Sequence, residues 1–264
     1  MLQKERELLQ LCCGGSLNEE QVNRLRELAL DKEVDANVID EDGFSPLLWL
    51  VNYCHMDRIY QAIKSLLLRS SVDIEQKTNQ GLDALLLICK RFRGSNLFYV
   101  IKLLLIHRIG VNSTCRDGKN AIHYLLADFT PNLSPIVQML IDEGINVRAT
   151  AADGTTLLIA LSTRYNSHPD FIPVARILIE KGCDVNWKNK KGQSALTILC
   201  DQHKLVDYAA FADKLKLLLQ LGADPKAKDI TGRNSVDIIK QRYEKCPKIS
   251  PLKIILSYLT DSSP

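Results

Sequence analysis

Glycine returns six times at a near-constant interval, always at the head of the same short pattern: a Gly, an oxygen-bearing side chain two positions on, then an apolar run. The copies are GFSPLLWLV (43–51), GLDALLLIC (81–89), GKNAIHYLL (118–126), GTTLLIALS (154–162), GQSALTILC (192–200) and GRNSVDIIK (232–240), their glycines 38, 37, 36, 38 and 40 residues apart. A unit of this length cannot bury an apolar face by itself, and stacking on its neighbours is the physical solution. The period predicts a repeat architecture and places function on an extended surface.

Within each copy the second residue after the Gly is Ser45, Asp83, Asn120, Thr156, Ser194 or Asn234. All six side chains can accept from the free amides of a starting helix, so each copy opens an inner helix. A second apolar segment follows: AIKSLLL (62–68), VIKLLLI (100–106), IVQMLI (136–141), VARILI (174–179), KLKLLLQ (214–220) and LKIILSYL (252–259). Three of these run into Gly144, Gly182 and Gly222, where a left-handed residue ends a helix without steric penalty. Ser71 and Arg108 hold the aligned positions in the first two copies. If they keep the same backbone shape, each costs about 1 kcal/mol relative to Gly.

These segments resemble the ankyrin-repeat family. Its turn and helix-start motif is met best by GFSPLL (43–48) and, for its His, by Ala121-Ile122-His123; its second-helix ending is met by LIEKGCDVN (178–186), LLQLGADPK (218–226) and LIDEGINV (140–147). The resemblance covers about residues 34–259 and implies an all-α ankyrin-repeat α-solenoid with short β-hairpin-like turns. Ankyrin repeats run near 33 residues. The extra residues here fall between the paired helices, at 90–98, 128–135, 164–173 and 201–212. The division that follows is an N-terminal capping helix pair at 1–35, repeats at 36–75, 76–112, 113–147, 148–186 and 187–226, and a C-terminal capping repeat at 227–264. In the cap, RELLQLCC (6–13) and VNRLRELAL (22–30) read as helices, with Ser16 and Glu19 as a capping box before the second.

A net charge of +3 is too small to imply nucleic acid, which needs a concentrated basic face. Eight cysteines dispersed over 264 residues do not form a disulfide framework and point to a reducing cytosolic or nuclear setting. No window approaches 18 consecutive apolar residues, so no membrane insertion is expected. Cys200 with His203, and Cys54 with His55, lack the second pair that a zinc site demands, and neither metal nor cofactor is expected. Cys89 and Cys200 share one repeat position that reads as small and buried. By the resemblance His123 is a structural histidine rather than a base. No Ser/His/Asp arrangement and no phosphate-cradling loop is present, which argues against an enzyme. The stretch CPKISPLKIILSYL (246–259) has a faint likeness to the end of a SOCS-type box, read as accidental.

In ankyrin arrays the turn tips and the open face of the inner helices receive partners, and by position that surface includes Glu41, Asp42, Arg116, Lys119 and Arg233. Asp31 to Phe44 holds six acidic residues against one Lys, while Lys188, Lys190 and Lys191 crowd the fifth tip, a charge gradient suited to orienting a partner. Phe44, Leu82 and Trp187 are apolar where the family is usually polar, which marks them as binding anchors or as packing against a neighbouring tip. Trp49, six after its Gly, reads as core. Arg91, in the cluster KRFR (90–93), and Arg164-Tyr165 are candidates for an acidic peptide or phosphate. The resemblance implies a monomeric, non-catalytic protein-interaction module whose partner is another protein. The alternative is a sensor of a small phosphorylated ligand or nucleotide at the basic and aromatic tips.

Overall fold

The structure, a computed structural model, describes residues 2–14, 17–53, 58–91, 94, 96–164, 168–202, 208–245 and 256–260. Among them the secondary structure is helical, with thirteen named helices and one isolated antiparallel bridge, Thr150 to Thr156. The chain groups into two compact units, 1–125 with 130–145 and 126–129 with 146–264. Both are built from the helix pairs of an α-solenoid.

The first unit contains α1 (Gln3–Cys13), α2 (Glu19–Leu30), α3 (Pro46–Asn52), α4 (Ile59–Leu67), α5 (Ala84–Arg91), α6 (Leu97–Ile106), most of α7 (Ala121–Ala127) and α8 (Leu133–Asp142). Helices α1, α3 and α5 pack side by side as an inner row, and α2 packs on α4 behind them. The second unit contains α9 (Leu157–Arg164), α10 (Phe171–Glu180), α11 (Ala195–Gln202), α12 (Tyr208–Gln220) and α13 (Ser235–Lys245). Here α9, α11 and α13 form the inner row, and α10 packs on α12.

The six Gly-headed copies fold alike. In each the turn Gly has positive φ, between 68° and 80°. Each turn also closes in the same way: Asp40, Thr78, Cys115, Ala151, Asn189 and Asp229 donate their N–H to the carbonyl of the residue after the Gly and accept the N–H of the Gly itself. This double bond makes the hairpin-like shape without a ladder. All six expected caps form: Ser45, Asp83, Asn120, Thr156, Ser194 and Asn234 accept the amides of Leu48, Leu86, His123, Ile159, Thr197 and Asp237 at 3.4, 2.8, 3.2, 3.3, 3.3 and 2.9 Å. The helices they start are short and buried on both sides; Ala84 to Cys89 and Ala195 to Cys200 are buried at every position. Burial pushes the Cys200 thiol up to about 12, against smaller opposing effects of Ser235 and Arg242. His123 is buried, its Nδ1 2.8 Å from Asn120 Oδ1, in keeping with a structural role.

The second helices end where left-handed residues allow. Gly144, Gly182 and Gly222 have φ of 85°, 98° and 90°, and the following amides of Ile145, Cys183 and Ala223 reach back to Leu140, Leu178 and Leu218. Arg108 keeps this geometry with φ of 63°, and Ile109 reaches Leu104. Ser71 does not: α4 stops at Leu67, and Ser71 is absent from the positive-φ residues. Its repeat is held instead by Arg69, whose Nη1 donates to the carbonyls of Ala29 (3.3 Å) and Asp31 (2.8 Å) at the end of α2.

A polar clasp joins successive repeats at the loops that follow the second helices. Asn37 donates to Ser71 O (2.8 Å) and accepts from Asp73 N (2.7 Å); Asn186 does the same with Gly222 O and Asp224 N, both at 2.8 Å. Asn112 donates to Gly144 O (3.0 Å), and Arg148 Nε stands in at the fourth repeat by donating to Gly182 O (3.0 Å). At Glu75 the sense reverses, with its carboxylate accepting from Gly110 N.

The two N-terminal helices form where the sequence places them, with Leu8, Leu9, Cys12, Leu25, Leu28 and Ala29 buried. Their capping box is Asn18 with Gln21, whose side chains exchange bonds with each other's amides at 2.8 and 2.9 Å, and not Ser16 with Glu19. Helix α2 starts at Glu19, so Glu19 is its first residue and stands too early to reach back to the cap. Ser16 lies outside the described residues, as do His203, Cys54, His55, Phe92, Arg93, Tyr165 and most of 246–259.

Candidate interaction surface

The open face of α3 carries a three-ring stack. Phe44 and Trp49 lie 4.4 Å apart at 27°, and Trp49 and Tyr53 lie 5.6 Å apart at 8°. Trp49 and Tyr53 are four residues apart, which brings side chains onto one helix face. All three rings are half-buried, so Trp49 is not the core residue its position implied. Leu47, Leu48, Leu50 and Val51 take the buried sides of this short helix and leave Trp49 facing the space beside α1. Its Nε1 donates to Asp40 Oδ2 at 2.7 Å, while Asp40 Oδ1 accepts from the amides of Asp42 (3.0 Å) and Phe44 (2.8 Å). One carboxylate thus ties the turn to the ring.

A cleft lies on either side of this wall. Toward α1, a space of about 670 Å3 is lined by Arg6, Gln10, Ile39, Asp40, Glu41, Asp42 and Trp49 among others. Toward α5, one of about 240 Å3 is lined by Asp42, Phe44, Asn52, Leu82, Lys90 and Arg91 among others. Leu82 is only 3% exposed and forms part of the floor of the second cleft, which corrects its expected place as an exposed anchor. Its N–H donates to Thr78 Oγ1 and its carbonyl accepts from Thr78 N, as Phe44 bonds to Asp40 in the preceding turn. Lys90 lies 5.7 Å from the centroid of Tyr124, and Arg91 is exposed at the end of α5.

Adjacent tips are stitched by backbone: Asn79 N to Asp42 O (3.3 Å) in the first unit, Lys190 N to Asp153 O (2.9 Å) and Ile230 N to Lys191 O (3.2 Å) in the second. Comparison with known proteins agrees with this construction. The family described as Ankyrin repeats (3 copies) matches residues 126–229. Two putative ankyrin repeat proteins of Acanthamoeba polyphaga mimivirus are similar: R841 is 27% identical over 60% of this chain and 26% of its own length, and R664 is 29% identical over 47% of this chain and 72% of its own. The match spans about a quarter of the length of R841 and of a third mimivirus relative, L91. Among solved structures, the ankyrin repeat domain of human ASB11 superposes with a TM-score of 0.68 at 17% identity, covering 97% of both chains.

Residues 126–229 carry ankyrin repeats, and the chain has the ankyrin-repeat fold.

A further similar structure is that of the predatory endopeptidase Bd0816 of Bdellovibrio bacteriovorus in complex with immunity protein Bd3460, with a TM-score of 0.61, 17% identity, and coverage of 82% of this chain and 98% of the matched one. Ankyrin repeats are in general protein-interaction modules, and no helix among the described residues is long and apolar enough to cross a membrane.

The remaining expected site residues sit on the ankyrin tips, several of them already engaged. Arg116 Nη2 donates to Asn79 O (2.8 Å), which spends part of its fork on the preceding tip. Arg233 pairs with Asp229 (3.2 Å) in its own turn. Trp187 is 43% exposed, yet its indole N–H donates to Gly154 O (2.9 Å), the packing on a neighbouring tip that its position allowed. Lys188 Nζ donates to Lys228 O (3.0 Å). Lys190 and Lys191 are exposed and Lys119 is half-buried. The structure therefore gathers Glu41, Asp42, Phe44, Leu82 and Arg91 around the α3 wall in the first unit, and Trp187, Lys188, Lys190, Lys191 and Arg233 on tips of the second.

Proposed function

We propose that this ankyrin protein is a non-catalytic protein-interaction module that receives a segment of another protein on its turn tips and the open face of its inner helices. The observation that carries the reading is the Phe44–Trp49–Tyr53 stack. Three aromatic rings are held half-exposed by a buried-side helix and a carboxylate, with a cleft on each flank. Large apolar rings fixed in place cost little ordering on binding and supply the area on which hot spots depend. The setting proposed is the cytosol or nucleus, supported by thiols buried one by one along the repeats, as at Cys89, Cys183 and Cys200.

The reading as a phosphate sensor stands on less. Trp187 and Lys188 each spend a donor on a neighbouring tip, leaving Lys190 and Lys191 as exposed point charges.

The test is affinity capture with the intact chain, a Phe44→Ala/Trp49→Ala variant and a Lys190→Glu/Lys191→Glu variant, with partners identified by mass spectrometry. Loss of the same partners with the aromatic variant, at unchanged helical circular dichroism, supports the reading. Retention of every partner by both variants removes these surfaces from consideration.

A further inference from the structure

The two clefts beside the aromatic wall differ in charge. On the α1 side the charged groups among the described residues are Asp40, Glu41, Asp42 and Arg6, and with Asp40 committed to Trp49 and to the turn, Glu41 and Asp42 present exposed carboxylates. On the α5 side the charged groups among the described residues are Lys90, Arg91 and Asp42, the two cations at the C-terminal end of a helix whose dipole also favours them.

We propose that the first unit recognises a bipolar peptide: a partner segment whose Arg or Lys side chain enters the α1-side cleft and whose Asp or Glu side chain enters the α5-side cleft, with its backbone crossing the Phe44–Trp49 wall. Packed helices lie about 8–10 Å apart, and extended chain advances about 3.3 Å per residue. The two charges therefore stand about two to four residues apart. Segments with two acids or two bases meet like charge in one cleft and are rejected, which gives specificity beyond simple attraction. The proposal rests on the protein-interaction reading above and narrows it to one partner chemistry.

The experiment selects binders from a displayed library of random 12-residue peptides on the full chain carrying Trp187→Phe, so that Trp49 is the single tryptophan and its emission reports occupancy. The expected outcome is enrichment of a basic and an acidic residue two to four positions apart, with about tenfold weaker binding when either is replaced by Gln. A Lys90→Glu/Arg91→Glu chain is then expected to select two bases, and a Glu41→Lys/Asp42→Lys chain two acids. Because these variants gain a new preference, misfolding cannot imitate the result. Binders that lack the charge pair but are lost with Trp49→Ala would overturn the bipolar rule and leave the interaction reading standing. A motif unchanged by both charge reversals would also overturn it, and a library yielding no binder would count against both.

Discussion

Asp40 and Trp49 are joined by a 2.7 Å bond from the indole N–H to Oδ2, and the same carboxylate holds two amides of the turn that precedes the helix. Asp40→Ala removes all three bonds at once. The expected cost is about 2 kcal/mol, toward the upper range for bonds to a charged acceptor. It is checked by the urea midpoint, and by a change in Trp49 emission in the Trp187→Phe background. Asp40→Asn keeps an oxygen for the turn amides and is expected to cost less.

Arg108 occupies a left-handed position with φ of 63° that Gly144, Gly182 and Gly222 fill elsewhere. Arg108→Gly is expected to raise stability by about 1 kcal/mol, less the extra freedom that Gly brings to the unfolded chain. Ser71→Gly has no such strain to relieve, and is expected to be neutral or destabilising in the same denaturant series.

Gly192 and Gly232 hold the same turn position, with φ of 68° and 80°, but only Gly192 is crowded. A Cβ there would lie 2.8 Å from Ile230 N in the next tip, whereas among the described residues nothing lies within 4 Å of one at Gly232. Both Ala substitutions carry the left-handed penalty of about 1 kcal/mol. Gly192→Ala is expected to cost measurably more, and equal midpoints for the two variants would contradict the close tip packing.

Asp229 accepts from Thr231 N (2.8 Å), Thr231 Oγ1 (2.6 Å) and Arg233 N (3.1 Å), and pairs with Arg233. Burial pushes its carboxyl up, but these bonds outweigh it and hold the group below its usual value. A depressed folded pKa means that the unfolded chain takes up protons first. The stabilisation is therefore full above the ordinary carboxylate value of about 4 and is lost as pH falls through the folded value. Urea midpoints between pH 7 and 3 are expected to show the gap between the intact chain and Asp229→Asn closing on the acid side.

The turns and helix starts were legible because each depends on local chemistry: a Gly free to take positive φ, and an oxygen two residues later within reach of a free amide. Ser, Asp, Asn and Thr serve alike at that place. The capping box of α2 was read two residues early because Ser16 and Asn18 are both competent, and the choice depends on where the packed helix begins. Leu82, readable from the sequence as a binding anchor or as tip packing, is buried, and Trp49, at a core position, is not. Position after the Gly does not reveal that Leu82 packs inward where Phe44 stays half-exposed, or that the space beside α1 leaves a large ring uncovered. The clasps of Asn37, Asn112 and Asn186 were hidden for a related reason, since each acts on a carbonyl more than 30 residues away.

Those clasps also explain how copies of unequal length can coexist. Within each unit, neighbouring copies are aligned at the turn tips and the asparagine loops through backbone atoms that do not depend on which side chain a copy carries. The number of residues between those points does not enter the alignment, so copies spaced 36 to 40 residues apart share one arrangement of tips within a unit.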